Sequence, residues 1–111
     1  MQKQDIAEIN EIEKLTQIMA KAINPKKIYL FGSFARGEQK ESSDYDFYIM
    51  VSDGNALKST AIAALAYQST FGKASRPLDI VVGKNANYEA RKHLPLSLEN
   101  IVSNEGVVLY E

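Results

Sequence analysis

Along the chain, stretches whose apolar residues recur every three or four positions alternate with short runs that are apolar throughout. Ile6, Ile9, Ile12, Leu15, Met19, Ala22 and Ile23 follow the first pattern, with Glu8, Glu11, Glu13, Lys14 and Lys21 between them, and predict an amphipathic helix packed on a core. Asp5, with Glu8 three residues on, is its expected cap. Asn24-Pro25 is the expected stop, because the residue before a proline avoids helical dihedrals. Ile28 to Phe31 is a short apolar run broken at Gly32-Ser33, the pattern of a buried strand that delivers the chain into a short helix. Phe34 to Arg36 make about one turn, and Gly37 lets the chain leave it with positive φ. Glu38 to Ser42 carry no apolar anchor and read as a surface loop. A second strand then starts at Asp44, with Phe47, Ile49 and Val51 as its buried face.

Asp53-Gly54-Asn55 marks a turn, and Asn55 or Asp53 is the expected cap of a second long helix running to about Phe71. Leu57, Ala61, Ile62, Leu65 and Ala66 form its apolar side, and Gly72 its stop. Leu78 to Val82 is a third strand. Residues 84–95 predict a loop or an irregular helical turn, Ser97 caps a short helix to Asn104 that ends near Gly106, and Val107 to Tyr110 is a fourth strand. The class is α/β, with residues 1–111 as one small domain.

Composition narrows the function classes. The 111 residues suffice to bury about two thirds of the unfolded surface without metal or disulfide. Cysteine is absent, which removes thiolate sites and suits a reducing compartment. The polar N-terminus and the lack of any long apolar run give no sign of a signal peptide or membrane span, so a cytoplasmic protein is expected. Thirteen basic and fourteen acidic residues give a net charge of −1, without the cationic excess that long contacts with nucleic acid demand. Lys73 to Lys92 holds five Lys or Arg against two acids, a local field that a triphosphate could use or that simply faces water.

The chemistry concentrates between Lys27 and Val51. A glycine at a strand-to-helix junction lets an anion approach unpaired backbone N–H groups, so Gly32 and Ser33 are candidates to hold phosphate. Asp44 and Asp46, two residues apart on a strand, project from one face and can hold a hard cation such as magnesium. Asp79 is a charge within an apolar strand, costly unless paired or metal-bound, and is the candidate third ligand. Arg36 has two roles open to it: binding the nucleotide, or pairing with a carboxylate to fix the loop. His93 stands outside this constellation and is given no catalytic part. Tyr48 and Met50 share the Asp46 face but are assigned to core packing.

The order FGSFARG followed by SDYD resembles the signature of the DNA polymerase beta-like nucleotidyltransferase superfamily, and most of all its minimal nucleotidyltransferase branch, whose members often act as antitoxins beside a HEPN-domain partner. The resemblance covers most of the chain. It implies a mixed sheet flanked by helices and a magnesium-dependent transfer of AMP from ATP to a hydroxyl. Asp44, Asp46 and Asp79 would act as metal ligands and catalytic carboxylates, with Gly32, Ser33 and Arg36 on the nucleotide. The implied acceptor is a tyrosine of a HEPN ribonuclease toxin, with a homodimer left open. A docking module without catalysis, or the subunit of a small-molecule adenylyltransferase, are the rival readings.

Overall fold

The structure is a computed structural model. It describes residues 3–111, with side chains from Ile6 onward. Helix α1 spans Lys3–Ile23, strand β1 Lys27–Phe31, helix α2 Ser33–Arg36 and strand β2 Tyr45–Val51. They are followed by α3 (Ser59–Thr70), β3 (Leu78–Lys84), α4 (Asn85–Arg91), α5 (Leu98–Glu105) and β4 (Val107–Tyr110). The strands form one mixed sheet in the order β3-β2-β1-β4. β1 is antiparallel to β2 and β4, whereas β2 and β3 are parallel and joined by a crossover through α3.

Alternation along β1 and β2 divides the core. Ile28, Leu30, Phe47, Ile49 and Val51 point to one face, where Ile12, Leu15 and Met19 of α1 and Ile62 and Ala66 of α3 cover them. Tyr29, Phe31, Tyr48 and Met50 point to the other, against Tyr88 of α4 and Val102 of α5. Tyr48 and Met50 are therefore core residues, as their depth along the strand predicts.

Several boundaries differ from the periodicity. α1 is already helical at Lys3, so it does not begin at Asp5, whose side chain lies outside the described residues. Ile6 and Ile9 of its apolar stripe are exposed because the sheet covers only the later turns. The helix does stop at Asn24, which takes a left-handed φ of 53° while its N–H bonds the Ala20 carbonyl. α3 starts at Ser59, later than expected, and buries only Ile62, Ala66 and Thr70, leaving Leu57 and Leu65 exposed. Asn55 accepts instead from the Leu57 N–H, and Asp53 from the Ala86 N–H at 2.9 Å, which places Asp53 at the first turn of α4 rather than α3. The 84–95 segment contains that seven-residue helix, anchored by Tyr88. Ser97 caps α5 as expected, accepting from the Asn100 N–H at 3.0 Å. Among the described residues no helix is long and apolar enough to cross a membrane.

Candidate active site

Sheet register assembles the site. Phe31, the last residue of β1, lies opposite Asp46, and Asp46 lies beside Asp79 on the parallel strand β3. A side chain at one register level projects from the same face on adjacent strands, so Asp46 and Asp79 are neighbours. Gly32 follows Phe31 and is thereby set against Asp46. Its φ of 77° and ψ of −156° lie in a region that suits glycine alone, and a Cβ there would fall on Oδ2 of Asp46, with Cγ at 3.0 Å. The glycine is required twice: by its backbone conformation and by the carboxylate packed against it.

Ser33 opens the four-residue helix α2, and Gly37 closes it with φ 72°. Asp44 is the second residue before Asp46 but sits just outside β2, which begins at Tyr45, and its side chain is exposed. Asp79 is exposed too. It does not stand in a buried strand, as the apolar run around it predicts, because β3 is a sheet edge, and it pays no large desolvation cost. What sets it in the site is its register with Asp46.

Electrostatics couple the three acids. Burial pushes the Asp46 carboxyl up to about 6, helped by the negative charges of Asp79 and Asp44 and opposed by Arg36. Among the described residues no three carboxylates or histidines lie close enough to enclose one ion as they stand. The donor set nevertheless fits a hard divalent cation. It is all oxygen, it carries a mutual repulsion that a cation relieves, and two of its members are exposed side chains with room to turn.

Arg36 ends α2 with its guanidinium committed to carboxylates: Nε to Glu38 at 2.6 Å and Nη1 to Glu105 at 3.0 Å. Of its two open roles, loop fixing is thus visible, while its charge still reaches Asp46. His93 is exposed beyond α4. The basic field of residues 73–92 is largely spent within the fold. Arg76 pairs with Glu8, Arg91 with Glu99 and Lys92 with Glu89, and Lys84 donates to the Asn55 and Leu57 carbonyls.

Two supports of the site go beyond what the residue pattern predicts. Beneath the site, Tyr48 donates to the buried Glu99 at 3.1 Å, and Arg91 meets the same carboxylate at 2.9 Å; burial first, then the Glu99 charge, raises the Tyr48 hydroxyl. Gly83 leaves space for that hydroxyl, since a Cβ there would fall on it. Beside the site, the Tyr45 hydroxyl donates to Glu11, whose carboxylate also accepts from the Ser75 N–H and hydroxyl. Glu8 and Glu11 stand at polar positions of an amphipathic pattern, so nothing in their own surroundings along the chain marks them out.

Similarity to known proteins points the same way. The family model for polymerase beta nucleotidyltransferases matches residues 13–111. A Methanocaldococcus jannaschii protein named "Putative protein adenylyltransferase MJ0435" is 32% identical over 100 residues, spanning 89% of this chain and 95% of its own length. "Putative protein adenylyltransferase MJ1379" of the same organism is 43% identical over 51 residues, 45% of this chain and 51% of its own. The crystal structure of a Sulfolobus solfataricus protein described as a putative nucleotidyltransferase superposes with a TM-score of 0.64 at 15% identity, covering 94% of this chain and 80% of the other. A structure described as a toxin-antitoxin with AMP-PNP gives 0.58 at 22% identity, covering 88% and 72%. With nearly its whole length matched and the glycine turn and carboxylates on adjoining strand ends, the chain belongs to the polymerase beta nucleotidyltransferase family.

Proposed function

We propose that this nucleotidyltransferase moves AMP from ATP onto a hydroxyl of a partner protein, a tyrosine of a HEPN ribonuclease toxin, and so acts as its antitoxin in the cytoplasm. The observation that carries the reading is the cross-strand alignment of Asp46 with Asp79 beside the Gly32 turn. Relationship over most of the chain to a protein named as an adenylyltransferase supports AMP as the group moved, and the toxin-antitoxin neighbour makes such a partner the first to try.

Asp44, Asp46 and Asp79 would hold magnesium, which when bound neutralises phosphate charge and stabilises the attacking and leaving oxygens of an in-line displacement. The Gly32-Ser33 backbone and the serine hydroxyl grip the departing pyrophosphate. The acceptor oxygen bonds to the α-phosphorus as the bond from that phosphorus to pyrophosphate breaks, and the exposed Asp79 carboxylate takes the hydroxyl proton. Arg36 contributes charge beside the phosphates. Its place in the ion pairs with Glu38 and Glu105 keeps α2 and the loop behind it in register for that task.

A docking role without transfer has its own support. Phe71 and Leu96 are 85% and 92% exposed, and Leu96 holds a left-handed φ of 68°, unfavourable for a branched side chain. Incubation with magnesium, α-labelled ATP and a candidate HEPN protein separates the two. Label on the partner, lost in Asp44→Asn and Asp46→Asn, is the expected result. A tight complex that stays unlabelled, with the partner still neutralised by the double carboxylate variant, favours docking.

A further inference from the structure

We propose that Arg76 is a positioning residue that sets Asp44, the carboxylate ahead of β2; the role rests on the nucleotidyltransferase reading above. Asp44 lies in irregular chain, and nothing in its own strand ladder fixes it. The chain on either side of it is nonetheless held. On one side Nη1 of Arg76 faces three carbonyl oxygens of the preceding loop, those of Lys40 at 3.0 Å, Glu41 at 2.8 Å and Ser43 at 3.0 Å. On the other, the Tyr45 N–H donates to the carbonyl of Pro77, the residue after Arg76, at 3.0 Å. Residue 44 is therefore suspended between two points that residues 76 and 77 both anchor.

The arginine is itself held from two further directions. Its Nη2 pairs with Glu8 of α1 at 2.9 Å, with both side chains less than one fifth exposed. Its guanidinium carbon lies 5.0 Å from the centroid of the Phe34 ring, on the residue that follows Ser33. A planar, permanently charged fork can face converging carbonyls, a carboxylate and an aromatic ring at once, whereas an ammonium on a flexible stem cannot fill all three. Through this one side chain the loop before Asp44, the helix that Ser33 opens and the entry to the Asp79 strand share a common reference. A loop as polar as residues 38–42 would otherwise leave Asp44 free to sample positions away from Asp46, and a carboxylate that must be immobilised on binding gives weaker ligation.

The test compares Arg76→Lys with the unaltered chain in two readouts that need no turnover. The first is hydrogen exchange at the Ser43 and Tyr45 amides, which bond to the Lys40 and Pro77 carbonyls. Exchange at both should quicken at least about tenfold, with β1 amides unchanged. The second is Mn2+ titration followed by electron paramagnetic resonance. Arg76→Lys should weaken Mn2+ binding by roughly three- to tenfold in protein that remains folded, and should have no further effect in an Asp44→Asn background, the coupling expected of residues that act through one another. Unchanged exchange, or the same loss of affinity with and without Asp44, overturns the role. Asp46→Asn is the control: if it binds Mn2+ as the unaltered chain does, the carboxylate site itself is refuted and the positioning role with it. Where Arg76→Lys does not fold, Arg76→Gln supplies the same two readings.

Discussion

Asp46 is the residue at which stability and the proposed chemistry oppose each other. Its carboxyl, raised in the fold to about 6 from an ordinary value of 3.8, binds a proton more tightly folded than unfolded. Its contribution to stability is accordingly full below about pH 4 and is lost as pH rises through 6. Asp46→Asn cannot ionise, so it should be more stable than the unaltered chain at pH 7.5 and nearly equal to it at pH 4. The ceiling on the gain is about 3 kcal/mol, at about 1.36 kcal/mol for each tenfold change in proton affinity, reduced because the site is open to water. Melting curves of both proteins at the two pH values check this; equal gaps at pH 4 and 7.5 would show that Asp46 ionises normally. Gly32 poses the complementary case. Since an added Cβ meets the Asp46 carboxylate before any ligand, Gly32→Ala should disturb the proposed metal ligand as well as the proposed phosphate turn, and Gly32→Val should abolish ATP binding in calorimetry. Ser33→Ala removes a single hydroxyl and should weaken ATP by about 1 to 3 kcal/mol.

Among the elements, the α4–α5 pair is where local chemistry supports the floor of the site. Ser97 accepts from the Asn100 N–H and donates to the Arg91 carbonyl, so one hydroxyl joins the start of α5 to the end of α4. Ser97→Ala should cost about 0.5 to 2 kcal/mol in urea unfolding, the range for a lost N-cap, with no change in ATP affinity. The opposite outcome, intact stability with weakened ATP, would mean that α5 contributes to the site directly and not through Glu99. The edge position of β3 has a similar logic. Asp79 is exposed on an edge strand, where a charged side chain also discourages pairing with another chain.

For the whole molecule, ligand binding and folding are linked. Magnesium with ATP at about a hundredfold its dissociation constant should stabilise the native state by about 2.7 kcal/mol, a rise on the order of 10 °C in Tm for a chain of this size. Asp46→Asn should lose most of that rise while its ligand-free form is no less stable. The two cores on opposite faces of the sheet make such a measurement clean. The strand residues Tyr29, Phe31 and Met50, which pack the core on the Asp46 face, carry no charge partner in the site, so the carboxylates can be altered without emptying the interior.

What could be read from residue order was whatever depends on near neighbours. The helix periodicity, the Gly32 break, the one-turn helix ending at Gly37, the Ser97 cap and the two-residue spacing of Asp44 and Asp46 all express local dihedral and hydrogen-bond preferences. They suffice for an α/β chain with a glycine turn ahead of a carboxylate pair. What lay beyond them depends on which strand lies beside which. Asp79 stands out in the sequence for a reason that the sheet order removes, a buried strand, and belongs to the site for one that only register supplies, its place beside Asp46. Asp53 accepts from the first turn of α4 instead of capping α3, because the chain returns to it 33 residues later. Arg76 gave no sign of its own among five basic residues, since its partners Glu8, Phe34 and the 40–43 carbonyls are distant in sequence and meet only when β2 and β3 pair. Short-range preferences are encoded residue by residue, whereas the convergence of groups far apart along the chain is decided by the packing that closes the sheet.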